Sequence, residues 1–117
     1  MTGLTYTVDC SHITVGVASP SIIPDNQMTA SSQPNANYLA AYGRLNGDRG
    51  DGWCTQKSPG RGDWLQIDLG KSLQVCAVAT QGNRMGGAWT SHFKLAYSAD
   101  VINWTTYEDE NGTQMVS

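Results

Sequence analysis

Short runs of alternating apolar and polar residues, each stopped by glycine or a cluster of turn formers, limit what this chain can fold into. In Trp64-Leu-Gln-Ile-Asp-Leu69, Leu65, Ile67 and Leu69 fall on one face, Gln66 and Asp68 on the other, and Gly70 ends the run. Ile13, Val15 and Val17 alternate in the same way, as do Phe93, Leu95 and Tyr97 against Lys94, Ala96 and Ser98. Val75-Cys-Ala-Val-Ala-Thr80 is apolar on both faces, which predicts a central strand covered on both sides. Residues 104–107 predict a short strand closed by Asn111-Gly112, a dipeptide suited to a type I′ hairpin turn. Helical patterning is confined to Asn37-Tyr-Leu-Ala-Ala-Tyr42, with room for one turn between Pro34 and Gly43.

Long polar connections at 19–37, 46–63 and 81–88 separate these runs. Short strands, turn-rich links and no helical interludes predict an all-β sandwich or jelly roll. A length of 117 residues is enough for one small domain. Charged residues make up 15% and hydrophobic ones 39%, too little charge to keep a chain expanded. The net charge of −3 carries no basic footprint, so nucleic acid is not an expected partner. No apolar run approaches the ~20 residues of a membrane-spanning helix. Residues 1–10 have neither the basic start nor the apolar stretch of a secretory signal, and 1–9 are read as a leader segment ahead of a domain at 10–117.

The three cysteines, Cys10, Cys54 and Cys76, are an odd number, and no two have the spacing of a redox or zinc motif. His12 and His92 stand far from them, so a metal–thiolate site is not expected. Disulfides in a secreted domain fit better, and the glycosylation sequons Asn103-Trp104-Thr105 and Asn111-Gly112-Thr113 agree. No nucleophile elbow, zinc-protease helix or phosphate loop is present, Asp109 and Glu110 have nothing to activate them, and Asp68 reads as structural. A non-catalytic protein is expected.

Ile23-Pro-Asp-Asn-Gln-Met-Thr-Ala-Ser-Ser32, Gly43-Arg-Leu-Asn46, Gly52-Trp-Cys54, Trp64-Leu-Gln-Ile-Asp-Leu-Gly70, Val78-Ala-Thr-Gln-Gly82 and Phe93-Lys-Leu-Ala-Tyr-Ser98 form an ordered series. Together they resemble a discoidin domain, also called the factor V/VIII type C domain, from Cys10 to about Gly112. The resemblance implies a jelly-roll β-sandwich whose loops protrude as ligand-binding spikes. It also implies an extracellular module, secreted or in a membrane protein's ectodomain, that binds phospholipid headgroups, glycans, collagen or other proteins without catalysis. Family members continue with further strands ending in a cysteine that pairs with the one at the domain start. On that pattern Cys10 is expected to lack its partner and the domain its C-terminal end. Val101 stands where the family commonly has Gly, which weakens the expected turn at 99–101. Cys54 and Cys76 match a subset of the family in which such cysteines pair, and a disulfide between them is expected.

The resemblance places Asn37, Tyr38 and Leu39 on the first spike and Arg84 and Met85 on the third, with Gly86 and Gly87 allowing a tight bend. An aromatic beside an aliphatic residue suits a bilayer interface or a sugar ring. Seven Lys and Arg give a thin cationic surface, so anionic phospholipid ranks below cell-surface glycans or glycoproteins. Asn35, Asn37, Asn46 and Gln81 offer hydrogen bonds to sugar hydroxyls, with Tyr38 as the stacking face. Two Arg-Gly-Asp tripeptides, Arg49-Gly50-Asp51 and Arg61-Gly62-Asp63, present the charge pair that integrins read, the second running into a strand where Asp63 can be a strand-entry residue. Asp48 and Asp51, with the carbonyls of Asn46 and Gly47, offer oxygen ligands for Ca²⁺, although their spacing is not that of an EF-hand. The expectation is therefore an adhesion module for glycan or protein ligands, with phospholipid and integrin as alternatives.

Overall fold

The computed structural model describes residues 5–7, 15–57, 62–73, 75, 77–82, 86–87, 89–90 and 92–107. Strands β1 (Thr5–Thr7), β2 (Met28–Ala30), β3 (Leu65–Ile67), β4 (Ala77–Ala79), β5 (Ala96–Tyr97) and β6 (Thr105–Thr106) pair antiparallel as β1·β4, β2·β3 and β5·β6. Helix among the described residues is limited to 3-10 turns at Asp25–Gln27, Ala36–Tyr38 and Ala40–Gly43. The fold is all-β, as the alternation predicts. β1 lies inside the stretch 1–9 read from sequence as a leader, with Thr5 opposite Ala79.

The core gathers Val15, Val17, Ile23, Met28, Ala40 and Trp53, with Leu65, Ile67, Leu69, Leu73 and Val78 packed against it. Alternation around β3 therefore reads correctly, since Leu65, Ile67 and Leu69 all turn toward this cluster. Around Val15 and Val17 it reads burial correctly but not strand. Gly16 has φ +96, and a Cβ there would lie 2.7 Å from Ile22 Cβ. Turns with Ser19 N donating to Gly16 O (2.9 Å) and Ile23 N donating to Ser19 O (3.0 Å) fold the chain back instead. Val17 and Ile23 are thereby sealed into the core.

Two further expectations are corrected. The stretch around β4 is not covered on both faces, because Val75 and Ala79 are exposed. The run 37–42 makes two 3-10 turns rather than one turn of α-helix, separated by Leu39 in an extended conformation. Beyond β3 the backbone pairing runs on with Asp68 N donating to Gln27 O (2.8 Å), until a polar side chain takes over and Gly70 N donates to Asp68 Oδ1 (2.8 Å). The Asn111-Gly112 turn lies outside the described residues.

The turn between β5 and β6 forms despite Val101, which sits in the left-handed region at φ +63. A β-branched residue is strained there. Ser98 Oγ accepts from Asp100 N (3.1 Å) and Val101 N (2.9 Å), and Asp100 Oδ1 accepts from Ile102 N and Asn103 N, which holds the backbone in place. Relief of this strain, offset by glycine's extra freedom when unfolded, is expected to make Val101→Gly up to about 1 kcal/mol more stable in thermal unfolding.

Candidate functional site

Arg44 is 6% exposed, in a stretch otherwise made of small and apolar residues. A buried guanidinium requires partners. Its Nη1 donates to Val17 O (2.7 Å) and its Nη2 to Asp25 Oδ1 (2.8 Å). Asp25 serves a second cation as well, with Arg49 Nη2 donating to its Oδ1 (2.8 Å) and Arg49 Nη1 to its Oδ2 (3.0 Å). The hydrogen bonds from Arg49 and then Arg44 hold the Asp25 carboxyl down at about 2. Arg49 in turn stacks over Tyr42, 5.4 Å from the ring centroid, and Asp25 raises its pKa.

A cleft of about 160 Å³ opens beside this triad, bounded by Ala18 and Pro20 on one side and by Tyr42, Arg44, Asn46, Gly47, Asp48 and Arg49 on the other. Arg49 remains 47% exposed in its side chain, so its position is fixed while part of its edge faces solvent. Arg44 Nε, which is buried, has no hydrogen-bond partner among the described residues. Asn46 adopts φ +57, and its N–H donates to Gln81 Oε1, tying the cleft to the 81–82 segment.

These positions revise the expected spike. Tyr38 is half-buried against the core and does not stand at a tip. Leu39 is half-buried too, as the extended link between the 3-10 turns. Asn37 is exposed, but its carbonyl accepts from Asp51 N (2.9 Å). Asn35 Oδ1 accepts from Asn37 N, and Gln81 Oε1 is taken up by Asn46 N. Arg84 and Met85 lie outside the described residues.

Both tripeptides are woven into the fold. Arg49 is held by Asp25 and Tyr42. Gly50, at φ +57, lies so close to its neighbours that a Cβ would come 2.6 Å from Asn37 O and 2.8 Å from Tyr42 Cε2. In the second tripeptide, Asp63 Oδ1 accepts from Ser31 Oγ and Ser32 Oγ, both at 2.7 Å, and these bonds lower its pKa. Ser31 Oγ also accepts from Trp64 N (2.8 Å), which makes Asp63 the strand-entry residue. Arg61 lies outside the described residues. Among the described residues no group of three or more His, Cys, Asp or Glu is placed to hold a metal ion. Cys54, half-buried against the core, has no disulfide partner among the described residues, and Cys76, its expected partner, lies outside them.

In the sequence, Asp25 and Arg44 stand out only as members of the ordered family blocks and Tyr42 only as the end of the helix-like run at 37–42, none with a role of its own. The available signal was a lone cation inside Leu39-Ala-Ala-Tyr-Gly-Arg-Leu45, which needs a carboxylate from elsewhere. Asp25→Asn is expected to cost about 1–2 kcal/mol at neutral pH, moderated because the Asp25 side chain is 48% exposed. Because folding lowers this pKa, the Asp25 contribution is complete above 3.8 and disappears as pH falls through about 2. Urea unfolding of both proteins along that pH range should show the difference vanish.

A family model for the F5/8 type C domain matches residues 27–117. Mouse lactadherin is 36% identical over 102 residues, covering 80% of this chain and 22% of that protein. Rat lactadherin is 39% identical over 103 residues, covering 80% and 24%. Human epithelial discoidin domain-containing receptor 1 is 35% identical over 101 residues, covering 81% and 11%. The chain thus spans about a quarter or less of the curated relatives named here. No solved structure matches it. The ordered blocks, the all-β fold and these matches agree: the chain belongs to the F5/8 type C, or discoidin, domain family of extracellular binding modules.

Proposed function

We propose that this domain mediates adhesion by binding cell-surface glycans or glycoproteins, without catalysis, at the cleft between Pro20 and the Tyr42–Arg49 segment. The observation that carries this reading is Arg49: half-exposed at the cleft, yet already fixed by Asp25 and Tyr42. A long side chain ordered before binding loses little freedom when a ligand arrives. Asn46 and Asp48 beside it add amide and carboxylate groups, so the rim both donates to and accepts from sugar hydroxyls. The cleft is smaller than the ~300 Å³ lower bound of drug-sized pockets, which favours a single sugar unit or a side-chain tip.

A second reading, binding to anionic phospholipid, is favoured by Trp89, which is 67% exposed after the exposed Gly86 and Gly87. An indole held out on such a loop suits a membrane interface. A glycan array and flotation with liposomes, with and without anionic lipid, separate the two. Wild type is expected to bind glycans and Arg49→Ala to lose about tenfold or more in affinity, the worth of a charged hydrogen bond. Binding to anionic liposomes alone, unchanged by Arg49→Ala, would overturn the preferred reading.

Integrin binding through the tripeptides draws little support from this arrangement, since Arg49 and Asp63 are each engaged internally. Adhesion of integrin-bearing cells to immobilised protein is expected to be equal for wild type and Asp51→Glu. A clear fall for the variant would restore that role.

A further inference from the structure

The turn joining β5 and β6 has no part in the cleft, and its exterior is unusual for a loop facing water. Val101 is 61% exposed, Ile102 80% and Trp104 47%, with Tyr97 exposed on β5 and Tyr107 exposed just past β6. Its polar groups are turned toward one another. Asp100 accepts from the Ile102 and Asn103 amides, Ser98 Oγ donates to Asp100 Oδ1 (2.9 Å), and Trp104 Nε1 donates to Val101 O (3.3 Å). Clustered exposed apolar groups of this kind mark a place where a domain meets something other than water.

Asn103-Trp104-Thr105 lies within that patch. Asn103 is exposed, and Thr105 is exposed on β6 opposite Tyr97. The Asn103 side chain is oriented by its Nδ2 donating to Asp100 Oδ2 (2.9 Å). We propose that Asn103 carries an N-linked glycan whose first sugars lie over Ile102 and Trp104. The donor is a lipid-linked oligosaccharide diphosphate of the secretory pathway. Asn103 Nδ2 attacks the anomeric carbon, the N–C bond forms as the C–O bond to the diphosphate breaks, and the lipid diphosphate leaves. One amide proton passes to a base of the transferase. The amide keeps its second N–H, so the bond to Asp100 can persist and the same turn holds the modified side chain. The apolar face of a sugar ring stacks well on an indole, which gives Trp104 a reason to be exposed. This inference is independent of which ligand the cleft takes.

The test is expression of the chain through a eukaryotic secretory pathway, followed by mass spectrometry before and after peptide N-glycosidase. No Lys or Arg follows Lys94, so a tryptic peptide carries both sequons, and the Thr113→Ala variant isolates Asn103. Thr113→Ala is expected to retain a glycan on Asn103. The Thr105→Ala/Thr113→Ala variant should have none, although Asn103 and its bond to Asp100 are intact. An unmodified Asn103 in Thr113→Ala overturns the proposal. For the covering role, enzymatic removal of the glycan from Thr113→Ala is expected to increase binding of an apolar fluorescent dye, and equal binding before and after removal refutes it.

Discussion

The buried Arg44 guanidinium is the constraint around which the rest is arranged. A cation taken out of water is tolerable only if it finds strong acceptors, and here Nη1 and Nη2 reach the Val17 carbonyl and the Asp25 carboxylate. Those two acceptors belong to the segment that folds back at Gly16 and then runs toward β2. The same arginine follows the 3-10 turn at Ala40–Gly43, so one side chain fixes two irregular segments against the core. Strands of two or three residues hold little structure by themselves. Side-chain-to-backbone bonds such as those of Arg44, Gln27 and Ser31 carry the long connections between them.

The candidate binding site is a consequence of that anchor. Asp25 has more acceptor capacity than Arg44 uses, and the surplus captures Arg49 from the following loop. Tyr42 lies beneath Arg49, and the absence of a Cβ at Gly50 lets the chain pass close to the ring. The cleft is therefore lined by groups whose positions were fixed for stability and whose outer edges remain open. The sequence Arg-Gly-Asp at 49–51 arises in this setting as packing: the arginine binds the carboxylate, the glycine clears the tyrosine, and the aspartate amide closes on Asn37. A tripeptide with a familiar reading has a local physical explanation here.

Charge and apolarity are divided differently in the β5–β6 turn, away from the residues that line the cleft. The β5–β6 turn spends its polar side chains on its own backbone and leaves aliphatic and aromatic groups outside. Val101 accepts a strained backbone because Ser98 and Asp100 hold the neighbouring amides. A turn specified by polar contacts tolerates apolar decoration, and the sequon in its midst supplies a chemical cover.

By itself the sequence determined the all-β class and the family, because period-two alternation and ordered blocks are local properties of the chain. It also marked Leu65, Ile67, Leu69, Val15 and Val17 as inward-facing, since an apolar side chain gains by burial whatever backbone carries it. It could not place Tyr38, whose apolar body suits a loop tip or a core equally, nor reveal that Val15 to Val17 enters a turn. Only the tertiary structure decided which charges meet. Asp25 and Arg44 are 19 residues apart and Asp25 and Arg49 are 24, separations at which chain proximity says nothing about contact. Their meeting depends on backbone turns such as that at Gly16 and on the close approach at Gly50, and those are set by what the surrounding side chains exclude.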